Sequence, residues 1–234
     1  MGLADTQALL AKLFTDKHLR KQFFEDPIAV GTALGLDNGQ AAILAGLDPT
    51  GVAAFADSLD RKRRDDLAKF LPITTRALAD KYNKVFHRFA NEHQERPGSL
   101  GDAQAFVDFF TELAKSAEGP FSPWLGDLAR YEIAFQRTVM SPRNFLILGF
   151  HYPVQQIATL VLQDLPMPLI QRRRTVALWC RIGSRGRLRH LVFSLFPWNR
   201  GKSSLTSYSP ASRLARSLPE SVREFVEPRS EVPR

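Results

Sequence analysis

Residues 172–195 read RRRTVALWCRIGSRGRLRHLVFSL, and this stretch decides the fold of the C-terminal part of the chain. Two runs rich in β-branched and aromatic residues, 175–182 and 187–195, flank the loop Gly183-Ser184-Arg185-Gly186. Glycine readily adopts the positive φ that a short chain reversal requires. The pattern therefore predicts a β-hairpin.

The hairpin lies in a strongly basic region. Residues 165–219 contain no Asp or Glu but eleven Lys or Arg, whereas the whole chain has a net charge of +8. The remainder of the chain is therefore mildly acidic. A basic sheet indicates a binding surface for an extended anionic chain. The alternative is a two-stranded piece of core whose arginines are simply solvated.

Upstream of the hairpin, hydrophobic spacing and helix-capping residues predict a series of helices. Asp5, Thr15-Asp16 and Asp48-Pro49 provide helix-start signals in the first part of the chain. Asp26-Pro27 predicts the end of the second helix, because a residue before proline avoids the α region. We expect one continuous helix over residues 72–93 and another over 102–115, the latter with Ser99 and Asp102 as a capping box. A further helix is predicted over residues 124–139.

After residue 140 the pattern changes. Residues 144–150 (NFLILGF) predict a buried strand, with a helix as the alternative, and residues 154–163 predict a helix. The fold class is therefore α+β: an N-terminal multi-helix domain followed by a small C-terminal antiparallel sheet with a helix. We expect a helical domain over 1–140, a small α+β module over 141–200, and a basic tail over 201–234. In that tail, Ser217 and Glu220 predict the cap of a short helix extending through Val226.

The chemistry-bearing motifs of common enzymes are absent from the sequence: there is no glycine-rich phosphate loop, GxSxG, HExxH or paired-cysteine motif. Cys180 is the single cysteine, which excludes an internal disulfide. His87 and His93 are six residues apart and so lie on different faces of a helix. We therefore expect no catalytic residue, no metal and no cofactor in this chain.

The sequence has no apolar run near the ~20 residues that span a bilayer. Its start, MGLADTQALL, lacks the basic residues and the long apolar stretch of a secretory signal. These features predict a cytoplasmic protein without membrane association.

Several segments together with the hairpin resemble accessory proteins encoded beside multinuclear-iron enzymes that modify ribosomally synthesised peptides. They are KRRDDLAKFLPITTRAL (62–78), FHRFA (86–90), SLGDAQAFVDFF (99–110), WLGDLARYEIAF (124–135) and FHYPVQQI (150–157). The resemblance is strongest to the partner subunit of the 3-thiaglutamate pathway, whose enzyme excises the β-carbon of a C-terminal cysteine. It implies a heterodimer in which the helical region docks on an iron-dependent barrel enzyme. It also implies that an RRE-like C-terminal sheet recognises the precursor peptide, and that the iron belongs to the partner.

The resemblance and the basic hairpin lead to two sets of candidate site residues. A peptide added to an edge of the sheet containing 175–182 gains main-chain hydrogen bonds, and nearby arginines can pair with its carboxylates. The peptide-binding candidates are Arg172, Arg173, Arg174, Val176, Leu178, Trp179 and Arg181. The aromatic stripe of the 102–115 helix and the residue that begins the next helix supply the partner-interface candidates, which are Phe106, Phe109, Phe110 and Trp124.

Two other functions remain open at this point. The basic 165–219 region predicts nucleic-acid binding if its aromatic residues stack on bases, the candidates being Trp179, Phe193, Phe196, Trp198 and Tyr208. Residues 15–36, TDKHLRKQFFEDPIAVGTALGL, resemble nitrile-hydratase-type leader peptides and the small alpha subunit of aromatic ring-opening dioxygenases. That second resemblance implies an accessory subunit of such a dioxygenase.

Overall fold

The structure is a computed structural model that describes residues 3–93, 98–116, 120–140, 145–181 and 188–194. It confirms the α+β class, with a helical N-terminal region and a small antiparallel sheet. The helices are α1 Leu3–Thr15, α2 Lys17–Glu25, α3 Pro27–Ala33, α4 Asn38–Ala45, α5 Pro49–Phe70, α6 Pro72–Leu78, α7 Lys81–Glu92, α8 Ser99–Lys115, α9 Trp124–Met140 and α10 Val154–Leu162. The strands are β1 Phe145–Phe150, β2 Thr175–Arg181 and β3 Leu188–Ser194.

Aspartates define the starts of the early helices. The side chain of Asp16 accepts a hydrogen bond from Leu19 N at 2.9 Å, and that of Asp26 accepts one from Ala29 N at 3.0 Å. Both satisfy an amide that the helix itself leaves unpaired. Asp5 does not act as the expected cap, because it lies within the first turn of α1. There its negative charge interacts favourably with the positive, N-terminal end of the helix dipole.

The chain divides into two compact units, and the first comprises the described residues up to Asp65 together with 90–93. Its core consists of Leu9, Leu13, Phe23, Leu36, Leu44 and Val52. Helices α3 and α4 approach closely at Gly31, where a Cβ would lie 2.8 Å from Ala41 Cβ. Glycine at this position therefore permits the helix contact.

The second unit contains the remaining described residues. Here the prediction of a single helix over 72–93 is wrong, because the chain breaks between α6 and α7. Ala79 adopts φ +49° and ψ −127°, a conformation that cannot continue a helix. The break lets α6 pack on α9 and α10, while α7 directs Tyr82 and Phe89 towards Phe106 of α8.

The predicted capping box before α8 is also wrong. The helix begins at Ser99, its N-cap is Gly98, and Asp102 is a buried residue within it. Gly98 has φ +89°, which glycine adopts without strain. The chain enters α8 through this turn, so the predicted start at residue 102 is three residues late.

The three strands pair in the order β1-β2-β3, and both pairings are antiparallel. This confirms the hairpin and the strand before it; the loop over 183–186 and the tail over 201–234 lie outside the described residues. Helix α9 covers one side of the sheet and shares a core with it through Tyr131, Phe135, Phe150 and Trp179. The expected boundary at residue 140 is therefore not a boundary between separate cores.

Alternation along the strands gives the sheet two faces. The inner face packs against α9 and carries Leu146, Leu148, Phe150, Thr175, Ala177, Trp179, His190 and Val192. The outer face carries Phe145, Ile147, Gly149, Val176, Leu178, Cys180, Arg189, Leu191 and Phe193.

Across the described ranges, the helices are all too short or too polar to cross a membrane.

Candidate functional site

The position of β2 determines where a peptide strand can add to the sheet. Because β2 is hydrogen-bonded to β1 on one side and to β3 on the other, it has no free edge. A peptide therefore cannot pair with 175–181 itself, and an added strand has to use another edge of the same sheet. Among the described residues, β1 and β3 each have one strand neighbour, so they are the edges that can accept a peptide.

The edge strand β1 lies beside a groove between the sheet and helices α8 and α9. The groove holds a cavity of about 380 Å³ lined by Gln104, Asp108, Arg130, Ile133, Ala134, Arg137, Thr138, Leu146 and Leu148. We call it the β1 groove. It has an apolar floor from β1 and α9, with polar and charged side chains above it. This composition suits an extended peptide whose main chain pairs with β1.

Two arginines of α9 give the β1 groove its positive charge. Arg130 and Arg137 are seven residues apart, so they lie on the same face of the helix. Arg137 Nη1 donates to Gln104 Oε1 at 3.0 Å, and the Arg130 guanidinium lies 5.4 Å from the ring centroid of Phe150. These contacts fix two cations along a groove that also contains the carboxylate of Asp108.

A larger cavity of about 820 Å³ adjoins the β1 groove, and the two share Asp108 and Arg130. Its far wall is formed by His151, Tyr152 and Arg172. We call it the His151 cavity. The two cavities lie side by side, one along β1 and the other at the turn that follows it, and we call the pair the channel.

Asp127 of α9 holds that turn in place. Its Oδ2 accepts hydrogen bonds from His151 N at 2.6 Å and from Tyr152 N at 3.2 Å. Its Oδ1 accepts one from Arg130 Nη1 at 3.1 Å. One buried carboxylate thus connects a groove arginine to the backbone at the start of the His151 cavity.

The arginine run before β2 lies partly at this cavity. Arg172 Nε donates to Tyr152 Oη at 3.3 Å, a bond that raises the pKa of Arg172 above its ordinary value. Arg173 N donates to His151 O at 2.8 Å, while the side chains of Arg173 and Arg174 are exposed. Of the seven peptide-binding candidates, Arg172 is the residue that the structure places in the channel.

The other candidates point elsewhere. Val176 and Leu178 lie on the outer face of the sheet, and Trp179 is fully buried on the inner face. Trp179 is therefore corrected from a peptide contact to a core residue. The side chain of Arg181 lies outside the described residues.

The aromatic stripe of α8 is also largely internal. Phe106 and Phe110 are fully buried and contact one another, with further ring contacts to Tyr82, Phe89 and Phe121. They are core residues that a partner cannot touch in this conformation. Phe109 and Trp124 are half-buried, so the partner interface stays a prediction for these two.

Sequence reasoning missed Arg130, Arg137, Asp127 and His151. The seven-residue spacing of the arginines was a usable signal, because it predicts that they share a helix face. The role of Asp127 in holding the turn had no local signal, since the backbone amides that donate to its carboxylate lie 24 and 25 residues away.

A second set of polar groups lies buried between α9 and the inner face. Burial raises the pKa of Tyr131 and lowers that of His190 to about 4. The rings of Trp179 and Tyr131 lie 5.1 and 5.4 Å from that of His190, measured between centroids. These groups are packed as neutral core rather than presented to a substrate. Within the part of the chain that the structure describes, no three His, Cys, Asp or Glu side chains are grouped to hold a metal.

Of the five residues expected to stack on nucleic-acid bases, the structure describes Trp179 and Phe193. Trp179 is buried and cannot stack on a base, whereas Phe193 is exposed on the outer face. Phe196, Trp198 and Tyr208 lie outside the described residues.

Comparison with known proteins gives one family match. Residues 40–112 match the family described as SCO6045-like, C-terminal domain. The matched segment begins in α4 and ends in α8 and thus includes Asp108 but not the arginines of α9. A search of curated proteins finds no match.

Proposed function

We propose that this chain is a non-catalytic subunit that binds a ribosomally synthesised precursor peptide and presents its C-terminal cysteine to an iron-dependent barrel enzyme. In this proposal the peptide lies as an added strand on the free edge of β1. The iron and the excision of the cysteine β-carbon belong to the partner enzyme, as in the 3-thiaglutamate pathway. The two proteins form a heterodimer.

The observation that carries the proposal is the coincidence of an unpaired strand edge with an arginine-lined channel. An added strand gains main-chain hydrogen bonds from β1, which tolerate many sequences. Arg130 and Arg137 lie above that strand, and Arg172 lies further along the channel. Charge-assisted hydrogen bonds from these groups select acidic side chains and fix the peptide's register.

The family match supports the coarser part of this proposal. The SCO6045-like family is associated with accessory subunits of this kind, and the matched residues 40–112 lie in the helical region proposed to contact the enzyme. On α8 and at the start of α9, Phe109 and Trp124 are the half-buried aromatic residues available as anchors. Aromatic anchors commonly dominate the energy of such interfaces.

The test uses the full chain together with an iron-dependent barrel enzyme and a short cysteine-ending precursor peptide of the kind that the resemblance implies. We expect the chain and the enzyme to co-purify, with the iron in the enzyme. Fluorescence anisotropy should show the labelled peptide binding to the chain alone, and enzyme turnover should require the chain.

The competing function predicts a different outcome. A nucleic-acid-binding protein would bind a labelled oligonucleotide with a steep salt dependence from counterion release. Oligonucleotide binding of that kind, without binding of the peptide or the enzyme, would overturn the proposal. Binding to a ring-opening dioxygenase subunit instead would favour the third function.

A further inference from the structure

The outer face of the sheet is an exposed apolar surface. Phe145 and Ile147 of β1 are 57% and 51% exposed, and Leu191 and Phe193 of β3 are each 46% exposed. The register places these side chains in adjacent rows across the sheet, with Leu178 between Ile147 and Leu191. Soluble monomers rarely leave so contiguous an apolar surface uncovered.

This face is separate from the channel. The inner face packs on α9, and the channel lies between β1 and the helices. A cover for the outer face therefore leaves the β1 groove free. The two surfaces can be occupied at the same time.

The chain itself contains a segment suited to this face. Residues 217–227 read SLPESVREFVE, in which Ser217 and Glu220 form a capping-box pattern. On a helix, Leu218, Val222, Phe225 and Val226 share one side, because their spacing follows the helical repeat. Glu220, Glu224 and Glu227 fall on the opposite side.

The reach and the charge of this segment agree with the face. The chain leaves the sheet at Ser194, next to Phe193, and 22 residues separate Ser194 from Ser217. A flexible linker of that length has a root-mean-square span of ~25 Å, about the length of a seven-residue strand. Arg189 lies on the outer face and Arg174 is exposed at the start of β2, while 165–219 contain no carboxylate side chain.

We infer that residues 217–227 of this chain dock on the outer face of its own sheet as an amphipathic helix. The apolar side of the helix covers Phe145, Ile147, Leu191 and Phe193, and its glutamates face solvent. Tethering keeps the segment at a high effective concentration, so a modest apolar contact suffices for occupancy. This inference is independent of whether the chain binds a peptide.

Cys180 provides an internal probe of this contact. It is the single cysteine of the sequence, and it lies half-buried on the outer face between Phe145 and Arg189. A docked helix shields its thiol from alkylating reagents. The rate of N-ethylmaleimide addition to Cys180 therefore reports on cover of the face.

The test compares full-length variants by that rate. Val222→Asp combined with Phe225→Asp places charge on the apolar side of the segment, and we expect alkylation to accelerate about tenfold, as for loss of a local protective contact. Arg223→Asp, which adds an acid outside the apolar side, is the control and should leave the rate unchanged. A chain ending at Arg216 should react like the first variant.

A second measurement fixes the position of the segment. With Phe225→Cys, mild oxidation by diamide should join the new thiol to Cys180 within one chain; with Glu224→Cys it should not. Equal alkylation in all variants, or equal cross-linking at 224 and 225, would overturn the inference. Protection that rises with protein concentration, with cross-links between chains, would assign the face to a second copy and overturn it as well.

Discussion

Thr74 of α6 and Glu132 of α9, 58 residues apart in the chain, are joined by two hydrogen bonds at one carboxylate oxygen. The Thr74 N–H and hydroxyl donate to Glu132 Oε2 at 2.8 and 2.7 Å. Ile73 N donates to Oε1 at 2.7 Å. The carboxylate thereby caps α6, whose N-cap Leu71 has no side chain able to do so. Burial nevertheless raises the pKa of Glu132 to about 7, outweighing the hydrogen bonds that lower it.

Replacing Glu132 with Gln should change how stability depends on pH. Because the folded-state pKa lies above the unfolded one, the folded protein holds the proton more tightly between about pH 4.5 and 7. The unfolding free energy of the wild type should therefore fall relative to Glu132→Gln as the pH rises through this window. The change should be on the order of 3 kcal/mol at most.

Urea denaturation at several pH values measures this difference. The pH dependence of the difference is the relevant quantity, since the amide also alters stability by a constant amount. Gln156→Ala, at an exposed position on α10 with no titratable group, should give a flat difference curve. A flat curve for Glu132→Gln as well would show that the buried carboxylate does not titrate abnormally.

His190→Phe should produce the opposite pH effect. Burial against Tyr131, Phe135 and Trp179 lowers the pKa of His190 to about 4, so the unfolded chain takes up the proton first as the pH falls. Wild-type stability should fall between about pH 6.5 and 4, by up to about 3 kcal/mol relative to the Phe variant. Thermal unfolding monitored by circular dichroism can test this. Thr159→Ala, at an exposed position on α10 with no titratable group, should behave like the wild type, and an equal acid sensitivity in His190→Phe would contradict the prediction.

The arginines of α9 should matter more for peptide binding than those before β2. Arg130→Gln combined with Arg137→Gln removes the two arginines that line the β1 groove, of which Arg130 is half-buried and Arg137 is exposed. A charge-assisted hydrogen bond from the half-buried group contributes about 1.5–3 kcal/mol and one from the exposed group ~0.2–1 kcal/mol, so we expect a loss of affinity of about a hundredfold. Replacing Arg172, Arg173 and Arg174 together by Ser should weaken binding from a few-fold to a few tens-fold, since exposed ion pairs contribute only ~0.2–1 kcal/mol each.

Anisotropy titrations with the labelled precursor peptide distinguish these cases. Arg61→Gln, at an exposed position on α5, is the matched control and should bind normally. The effect of the triple Ser variant should shrink at high salt because screening weakens exposed pairs. A double Gln variant that binds like Arg61→Gln would place the peptide outside the β1 groove.

Ala79→Gly should stabilise the protein. Ala79 has φ +49°, and a non-glycine residue in such a conformation carries a strain of order 1–3 kcal/mol. Glycine removes that strain but adds unfolded-state entropy, so we expect a net gain of about 1 kcal/mol and a rise in Tm of a few degrees. Ala77→Gly, two residues earlier within α6, should be destabilising by about 0.5–1 kcal/mol. Differential scanning calorimetry compares the two; a lower Tm for Ala79→Gly would show that the turn is unstrained.

The elements set by local signals were predictable from the sequence. The hairpin strands, the strand before them and the helix starts at Asp16 and Asp48 follow from alternation and capping, which involve residues close in the chain. The break at Ala79 was not predictable, because neither glycine nor proline marks it. Its cause is the packing of α6 and α7 on different neighbours.

The site depended on relationships that no local pattern contains. The position of β2 between two strands removed it as a peptide-binding edge, and this follows from strand order rather than from its sequence. The spacing of Phe106 and Phe110 on α8 is compatible with a surface stripe. In the structure, however, packing against neighbouring helices buries both side chains. Conversely, the β1 groove exists because the fold places Arg130 and Arg137 of α9 beside β1, and no local sequence pattern predicts this arrangement.

Because β2 is paired on both sides and β1 on one, the amide hydrogens of the two strands should exchange with solvent at different rates. Amides bonded between β2 and its neighbours exchange only when the sheet opens, whereas the β1 amides that point away from β2 have no strand partner among the described residues and should exchange faster. A peptide added to β1 would slow exchange at alternate residues of Phe145–Phe150 and leave β2 unchanged. Deuterium uptake thus reads out occupancy of this edge residue by residue, even before the natural peptide is known.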